Sequence, residues 1–326
     1  MDDVLDLHRY LPKEMPKVPE NQVKIERFLD GREQLELVDG VWNCCFEKTP
    51  SIQANSSYFS NPKWAKTYFD ACHRDALFKE RWQAAAGSWT DKIVVDVGCG
   101  PGNLLASLGG TPKLLIGIDV ALGSLAMAQA IGYTPLLADA HDIPLVSGFA
   151  DLVVVNAALH HCDDMPKVLS EAARLVRPGG LLVVDHDPQL TGWYYRGLGL
   201  LLYKLRLGFI YRFFLKDLYV PDEERLSALA TEVHHRPGHG VTRDLFLDTL
   251  PLLGFEVKLY PHNNAIGAEA LQGKWGKPPH WRYRIGQLLS GINCWSADAA
   301  LTLMCVATRN PANSETGRAA QTTSKV

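Results

Sequence analysis

The stretch Ile93-Val94-Val95-Asp96-Val97-Gly98-Cys99-Gly100-Pro101-Gly102-Asn103-Leu104 decides how the rest of the chain is read. Its first half is a short apolar run rich in β-branched residues, the pattern of a buried strand. Glycines then fall at alternate positions, and Leu104, Leu105 and Leu108 begin a helical apolar pattern. The segment therefore reads as a strand that turns sharply into a helix. Glycine permits φ > 0 in such a turn, and the missing Cβ atoms let a ligand lie on the backbone. The unpaired N–H groups at the helix start face that ligand. A dinucleotide could occupy a turn of this kind, but its fingerprint is G-x-G-x-x-G/A. Here the spacing is G-x-G-x-G, and Asn103 stands where the third small residue would pack helix on strand. Asp96, two positions before the first glycine, is a poor neighbour for a pyrophosphate and a good one for a cationic ligand.

Working outward, apolar runs alternate regularly with helical stretches. Lys113–Asp119 is a second strand, followed by a helix to Ile131; Thr134–Ala138 is a third. Asp151–Asn156 is a fourth strand, a helix with Pro166 in its first turn runs to Arg177, Pro178-Gly179-Gly180 is a turn, and Leu181–Asp185 is a fifth strand. Near-continuous apolar strands alternating with helices predict a parallel sheet covered on both faces. Ligands in such sheets bind beyond the carboxyl ends of the strands. Asp119, Asp139 and Asn156 end the second, third and fourth runs, so they fall beside the glycine turn.

In these residues the chain resembles the class I S-adenosylmethionine-dependent methyltransferases. Their first motif, an acidic residue, x, then G-x-G-x-G, is matched without a gap by Asp96-Val97-Gly98-Cys99-Gly100-Pro101-Gly102. Leu175-Val176-Arg177-Pro178-Gly179-Gly180 matches the turn before the fifth strand. Asp139…Asp142-Ile143-Pro144 and Ala158-Leu159-His160-His161 point to the type 11 branch, which methylates small metabolites, including quinone and sterol precursors. The resemblance covers residues 92–187. It implies a Rossmann-like, doubly wound α/β sheet of seven strands, mostly parallel with one antiparallel strand. It also implies S-adenosyl-L-methionine as cofactor, held by Asp96, Gly98, Cys99, Gly100, Gly102, Asp119, Val120, Asp139, Ala140 and Asn156. In the family the position of Asp119 accepts hydrogen bonds from both ribose hydroxyls, that of Asp139 meets the adenine amino group, and that of Asn156 lines the methionine end. Each aspartate has a plainer reading, Asp119 as a helix cap and Asp139 as an Asx-turn.

Around this centre, residues 1–61 look irregular, with a short strand at Leu35–Trp42, and Pro62–Gln83 reads as one helix. The resemblance makes residues 62–90 part of a cover over ligand and substrate, so that 1–90 form an arm and helical cap. The methyltransferase domain then spans 91–310, and the polar residues 311–326 are expected to be disordered. Thr242–Leu253 before Gly254 reads as a helix with a terminating glycine; Glu256–Tyr260 and Leu301–Thr308 are the two closing strands. Insertions fall at about 190–240 and 262–298. The first holds Leu201, Leu205, Phe209 and Phe213 at helical spacing among basic residues. It reads as a lid over the substrate pocket, with peripheral membrane contact through about 192–218 as a secondary reading and simple packing on the domain as the plain one.

Composition narrows the partners. The 326 residues are 47% hydrophobic and 21% charged, with a formal net charge of −3, which gives no electrostatic reason to expect nucleic acid. Seven cysteines, without paired spacing, suit a reducing compartment. Neither a signal-peptide pattern nor a run of about 20 apolar residues is found, so the expected location is cytoplasmic. Methyl transfer needs an aligned nucleophile and, where that nucleophile is protonated, a base. His161, His160 and His186 follow the fourth and fifth strands and are the candidates, each with the plain alternative of a hydrogen-bonded wall residue. His234, His235 and His239 with the cysteines make no recognised ligand set, so no metal is expected. The favoured function is methyl transfer to O or C of a small, apolar or aromatic metabolite. The alternatives are a macromolecular substrate or a catalytically silent S-adenosylmethionine-binding subunit.

Overall fold

The computed structural model describes residues 24–31, 35–62, 74–205, 240–278 and 280–311. Among these residues nine strands, beginning with β1 (Glu36–Val38) and β2 (Val41–Asn43), form one sheet in the order β1-β2-β5-β4-β3-β6-β7-β9-β8. The central five, β3 (Ile93–Val97), β4 (Leu114–Asp119), β5 (Thr134–Leu137), β6 (Ala150–Asn156) and β7 (Val176–Asp185), run parallel. The closing pair is β8 (Phe255–His262) and β9 (Thr302–Arg309), with β9 inserted antiparallel between β7 and β8. These seven strands are the sheet expected from the sequence, and its antiparallel member is the last in the chain.

Alternation of side chains explains why the middles of the central runs are apolar on both faces. Val95, Val97, Ile116, Val153 and Val155 join one cluster with α5 (Met165–Leu175), whose Val168, Leu169 and Ala172 are buried there. Val94, Leu115 and Val154 face the other way, onto α2 (Ala76–Ala86) and α4 (Leu122–Ala130) through Phe78, Trp82 and Leu125. A strand buried on both faces leaves no room for polar residues in its middle.

The N-terminal region departs from the sequence reading. The stretch expected as one strand is a hairpin, β1 (Glu36–Val38) and β2 (Val41–Asn43). Asp39 and Gly40, with φ of 51° and 79°, make the tight turn that an Asp-Gly pair favours. β2 then pairs parallel with β5 and extends the seven-stranded sheet by two. The region read as irregular also contains a ten-residue helix, α1 (Pro50–Phe59). Thr49 caps it by accepting from the Ile52 amide at 3.2 Å, and Pro50 opens it.

The helix expected over Pro62–Gln83 is also corrected. Asp75 is extended (φ −68°, ψ 125°) and caps α2 by accepting from the Leu77 amide at 2.9 Å, so α2 starts afresh at Ala76. Residues 63–73 lie outside the described chain.

At Pro178-Gly179-Gly180 a continuous strand replaces the expected turn. β7 begins at Val176 and absorbs the three residues in a register shift between Ala150 and Leu152. A Cβ on Gly180 would lie 2.8 Å from Val176 Cγ1 and 2.9 Å from the Arg177 carbonyl, so the bulge requires glycine there.

The two insertions pack on each other. α6 (Gly197–Leu205) crosses α8 (Trp281–Leu289) where a Cβ on Gly199 would meet Ser290 Oγ at 2.0 Å. Arg196 Nε donates to the Ser290 carbonyl at 2.8 Å. Leu201 is exposed and Leu205 ends α6; Phe209 and Phe213 of the expected stripe lie outside the described residues, as do residues 206–218 of the stretch read for membrane contact. Between the insertions, α7 (Arg243–Thr249) leads through a 3-10 turn to Gly254 in the left-handed conformation, the expected terminating glycine. None of the described helices is long and apolar enough to cross a membrane.

Candidate cofactor and acceptor cleft

The carboxyl ends of β3, β4, β5 and β6 open into one cleft of about 1140 Å³, counting its open mouth. The chain leaves β3 for β4 and β5 on one side and returns for β6 on the other, so this is the topological switch of the sheet. Asp96, Gly98, Cys99, Gly100, Asp119, Val120, Asp139, Ala140 and Asn156 all line it.

The glycines divide into two kinds. A Cβ on Gly98 (φ 71°) would lie 2.4 Å from Ala158 Cβ, and one on Gly102 (φ 82°) 2.6 Å from Ile131 Cδ1 and 2.8 Å from Tyr133 Cε2. Gly102, the helix cap of α3 (Asn103–Leu108), does not line the cleft, so packing accounts for it. Gly100 (φ 52°) has nothing within 4 Å of its Cβ position. Its bare backbone faces open space, a cradle for a ligand.

Asp119 ties this loop to β4. Its Oδ2 accepts from the Gly100 amide at 2.8 Å and its Oδ1 from the Ala121 amide at 2.8 Å. Asp139 accepts from the His141 amide at 3.0 Å on the oxygen that also meets His141 Nδ1 at 2.6 Å. Asp139 thus makes the Asx-turn of the plainer reading, whereas Asp119 does not cap α4, whose N-cap residue is Ala121 with no side-chain cap bond; both aspartates line the cleft. A carboxylate has more lone pairs than these bonds use, so bonding the backbone and facing the cleft coexist. Burial pushes the Asp119 carboxyl above its ordinary value, against the pull of the amides. At Asp139 burial acts the same way, but the His141 ring and amide outweigh it and hold the carboxyl low. His141 Nε2 accepts from the Asp164 amide at 3.3 Å, which leaves Nδ1 to donate to Asp139.

Asp96 is fully buried and accepts from the Tyr133 hydroxyl at 2.8 Å. That hydroxyl also accepts from the Leu105 amide in the first turn of α3. Burial raises the Asp96 carboxyl to about 7, Tyr133 opposes this, and the Asp119 charge adds to it. Tyr133 and His141 are site-shaping residues that sequence reasoning missed. Tyr133 had no signal beyond standing one residue before a strand, and His141 stood in a connector read only for its aspartates.

The three histidines expected near the methyl end are placed differently. His161 lines the cleft, and its ring meets Phe59 edge-on at 5.1 Å. His160 turns inward: its Nδ1 lies 2.7 Å from Asp187 Oδ1, and its ring backs onto His161 with centroids 4.0 Å apart. His186 has φ 68° and packs edge-on against Phe78 of α2. Neither His160 nor His186 lines the cleft.

Among the described residues, the cover over the cleft comes from α1, through Ser51, Ile52, Asn55 and Phe59, and not from α2 or α6. α1 is held at both ends. Ser51 Oγ and Asn55 Nδ2 donate to the His161 carbonyl, each at 3.4 Å, and Ser124 Oγ donates to the Phe59 carbonyl at 2.6 Å.

A parallel switch-point cleft with an acidic strand end, an open glycine cradle and acidic ends on the next two strands defines a class I S-adenosylmethionine-dependent methyltransferase domain. The methyltransferase-domain family profile matches residues 95–184. The chain is 32% identical over 133 residues to the malonyl-[acyl-carrier protein] O-methyltransferase of Yersinia pestis, covering 40% of this chain and 49% of that protein. It is 38% identical over 100 residues to the trans-aconitate 2-methyltransferase of Deinococcus radiodurans, covering 29% and 39%. The chain thus spans about half the length, or less, of the curated relatives it matches. A plantazolicin methyltransferase solved with S-adenosylhomocysteine superposes loosely, with a TM-score of 0.46 and 14% identity over 80% of this chain and 96% of that one. S-adenosyl-L-methionine is the cofactor of this domain class. The open Gly100 cradle, the buried Asp96 and the half-buried Asp119 fit a ligand that is cationic and carries no phosphate.

Proposed function

We propose that this chain transfers a methyl group from S-adenosyl-L-methionine to O or C of a small metabolite. The observation that carries the reading is the coincidence of Gly100's open backbone with the Asp119 carboxylate, which holds that backbone in place at 2.8 Å. Asp119 takes the ribose hydroxyls, Asp139 the adenine amino group, and Asn156 lines the methionine end; Asp96 supplies negative charge. Bound S-adenosylmethionine supplies a sulfonium-activated methyl group, which needs no further activation of its leaving group. The chain's own work is to seat that ligand, exclude water beneath α1 and orient the acceptor.

Of the three candidate histidines His161 alone lines the cleft, and we assign it the proton of an acidic acceptor hydroxyl. His160, oriented by Asp187, acts through His161 as a positioning residue. Relatives named for malonyl-[acyl-carrier protein] and trans-aconitate support small-molecule acceptors. In the division we favour, residues 1–90 are an N-terminal arm and helical cap, of which α1 covers the cleft, and 91–310 are the methyltransferase domain.

Calorimetric titration with S-adenosylmethionine and S-adenosylhomocysteine, on wild type and Asp119→Ala, tests the reading. Micromolar binding that the substitution abolishes while the far-ultraviolet circular dichroism stays unchanged would uphold it. Well-folded wild type that binds neither would sink it. Formation of S-adenosylhomocysteine that depends on added phenols, quinols or small carboxylic acids would separate an enzyme from a silent binding subunit.

A further inference from the structure

Asn55 occupies the middle of α1 and is 8% exposed, yet it lines the cleft. Its Nδ2 donates to the Ser51 carbonyl at 3.0 Å and the His161 carbonyl at 3.4 Å. Two carbonyls on one side settle the orientation of the amide, because the flipped form would set Oδ1 against both. Oδ1 is thereby left as a buried acceptor with no hydrogen-bond partner. A buried acceptor without a partner is costly, and in a cleft wall its natural partner is a ligand donor.

The place of Asn55 in the cleft says which donor. His161, to which its amide is tied, follows β6, and Ala158 in the same segment packs on Gly98 of the glycine loop. The acidic ends of β4 and β5, Asp119 and Asp139, lie on the other side of β3. On the proposed function, those two carboxylates hold the ribose and adenine of the cofactor. The donor left for the β6 side is the ammonium group of the amino-acid end.

We infer that Asn55 Oδ1 accepts a hydrogen bond from the α-ammonium of the bound cofactor, so that α1 reads the amino-acid end of the ligand it covers. The inference rests on the proposed cofactor site.

The test compares S-adenosylhomocysteine with its analogue lacking the α-amino group, by calorimetry on the full chain as wild type and as Asn55→Leu. In wild type, removing the amino group weakens binding by tenfold or more, as expected for a hydrogen bond to a charged group. In Asn55→Leu that ratio falls towards one. Loosening of α1 by the substitution would weaken both ligands by the same factor and leave the ratio intact, and an intact ratio overturns the proposal. Asn55→Asp, which keeps an oxygen acceptor, retains the wild-type preference if the proposal holds. An intact ratio together with loss of turnover would reassign Oδ1 to the methyl acceptor. Failure of wild type to bind S-adenosylhomocysteine at all would instead bring down the proposed function beneath it.

Discussion

At the residue scale, the glycine loop separates demands of the fold from demands of the ligand. Gly98→Ala forces a Cβ to 2.4 Å from Ala158 at φ 71°, and should destabilise the protein by about 2–4 kcal/mol in chemical denaturation. Gly100→Ala meets no protein atom, so only the left-handed backbone costs, about 1 kcal/mol. Its larger effect should be on calorimetric affinity for S-adenosylmethionine. If Gly100→Ala bound the cofactor as wild type does, the cradle would have no ligand role. Asp96 makes a second prediction. Its carboxyl lies near 7 when folded and near 3.8 when unfolded, so the folded state holds the proton more tightly. Its contribution to stability is complete below about 3.8 and is lost as pH rises through about 7. A cationic ligand favours the ionised form, so cofactor affinity should rise with pH through that range, with up to about one proton released. Calorimetry in buffers of different ionisation heat measures this release, and Asp96→Asn should remove it. These residues were legible in the sequence because each occupies a strand end or a turn, where position along the chain already implies position at the cleft.

At the element scale, α1 is the piece that the sequence concealed. Its Ser-rich composition lacks an apolar stripe, since it buries little beyond Ile52 and Asn55 and instead covers the cleft. The start signal, Thr49 before Pro50, was present but carries little weight without periodicity behind it. Thr49→Ala should cost about 1 kcal/mol of helix stability. Because α1 closes the cleft, that loss should appear as faster proteolysis of residues 50–59, which saturating S-adenosylhomocysteine reverses. Proteolysis unchanged by both substitution and ligand would mean that α1 is not coupled to the site. The hairpin at Asp39-Gly40 was likewise compressed into one strand, because three-residue strands are too short for alternation to show. By contrast β3 to β7 were read to within a few residues at their carboxyl ends. Both faces of each are buried, and only long-branched apolar residues satisfy that.

At the scale of the whole molecule, a buried charged network joins α2 to the end of β7 and the closing strands. Arg81 of α2 donates through Nε to Asp185 Oδ2 at 3.0 Å and through Nη1 to the Ile266 carbonyl at 2.7 Å. His262 of β8 meets Asp185 Oδ1 at 2.7 Å, and all three side chains are fully buried. Burial alone would push the Asp185 carboxyl up; Arg81 and His262 hold it well below the ordinary range instead. Removing one partner strands the others, so Arg81→Met should destabilise by about 3–5 kcal/mol in equilibrium unfolding. Replacing Arg81 and Asp185 together by apolar residues should cost less than the two single changes summed, as a double-mutant cycle would record. No local pattern announced this network. Its members come from positions 81, 185 and 262, and a lone arginine on an amphipathic helix reads as a solvated residue until the sheet closes over it. The sequence by itself determined which runs around the glycine turn are buried strands and which strand ends carry acidic groups. Both follow from local rules, continuous apolar runs for buried parallel strands and glycine where a ligand or a neighbour approaches the backbone. Tertiary structure alone decided that α1 rather than α2 covers the cleft, that His161 and not His160 or His186 faces it, and that Arg81 is a buried ion. Each of these depends on which surfaces meet when distant segments pack, and that information is shared between segments rather than written in any one of them.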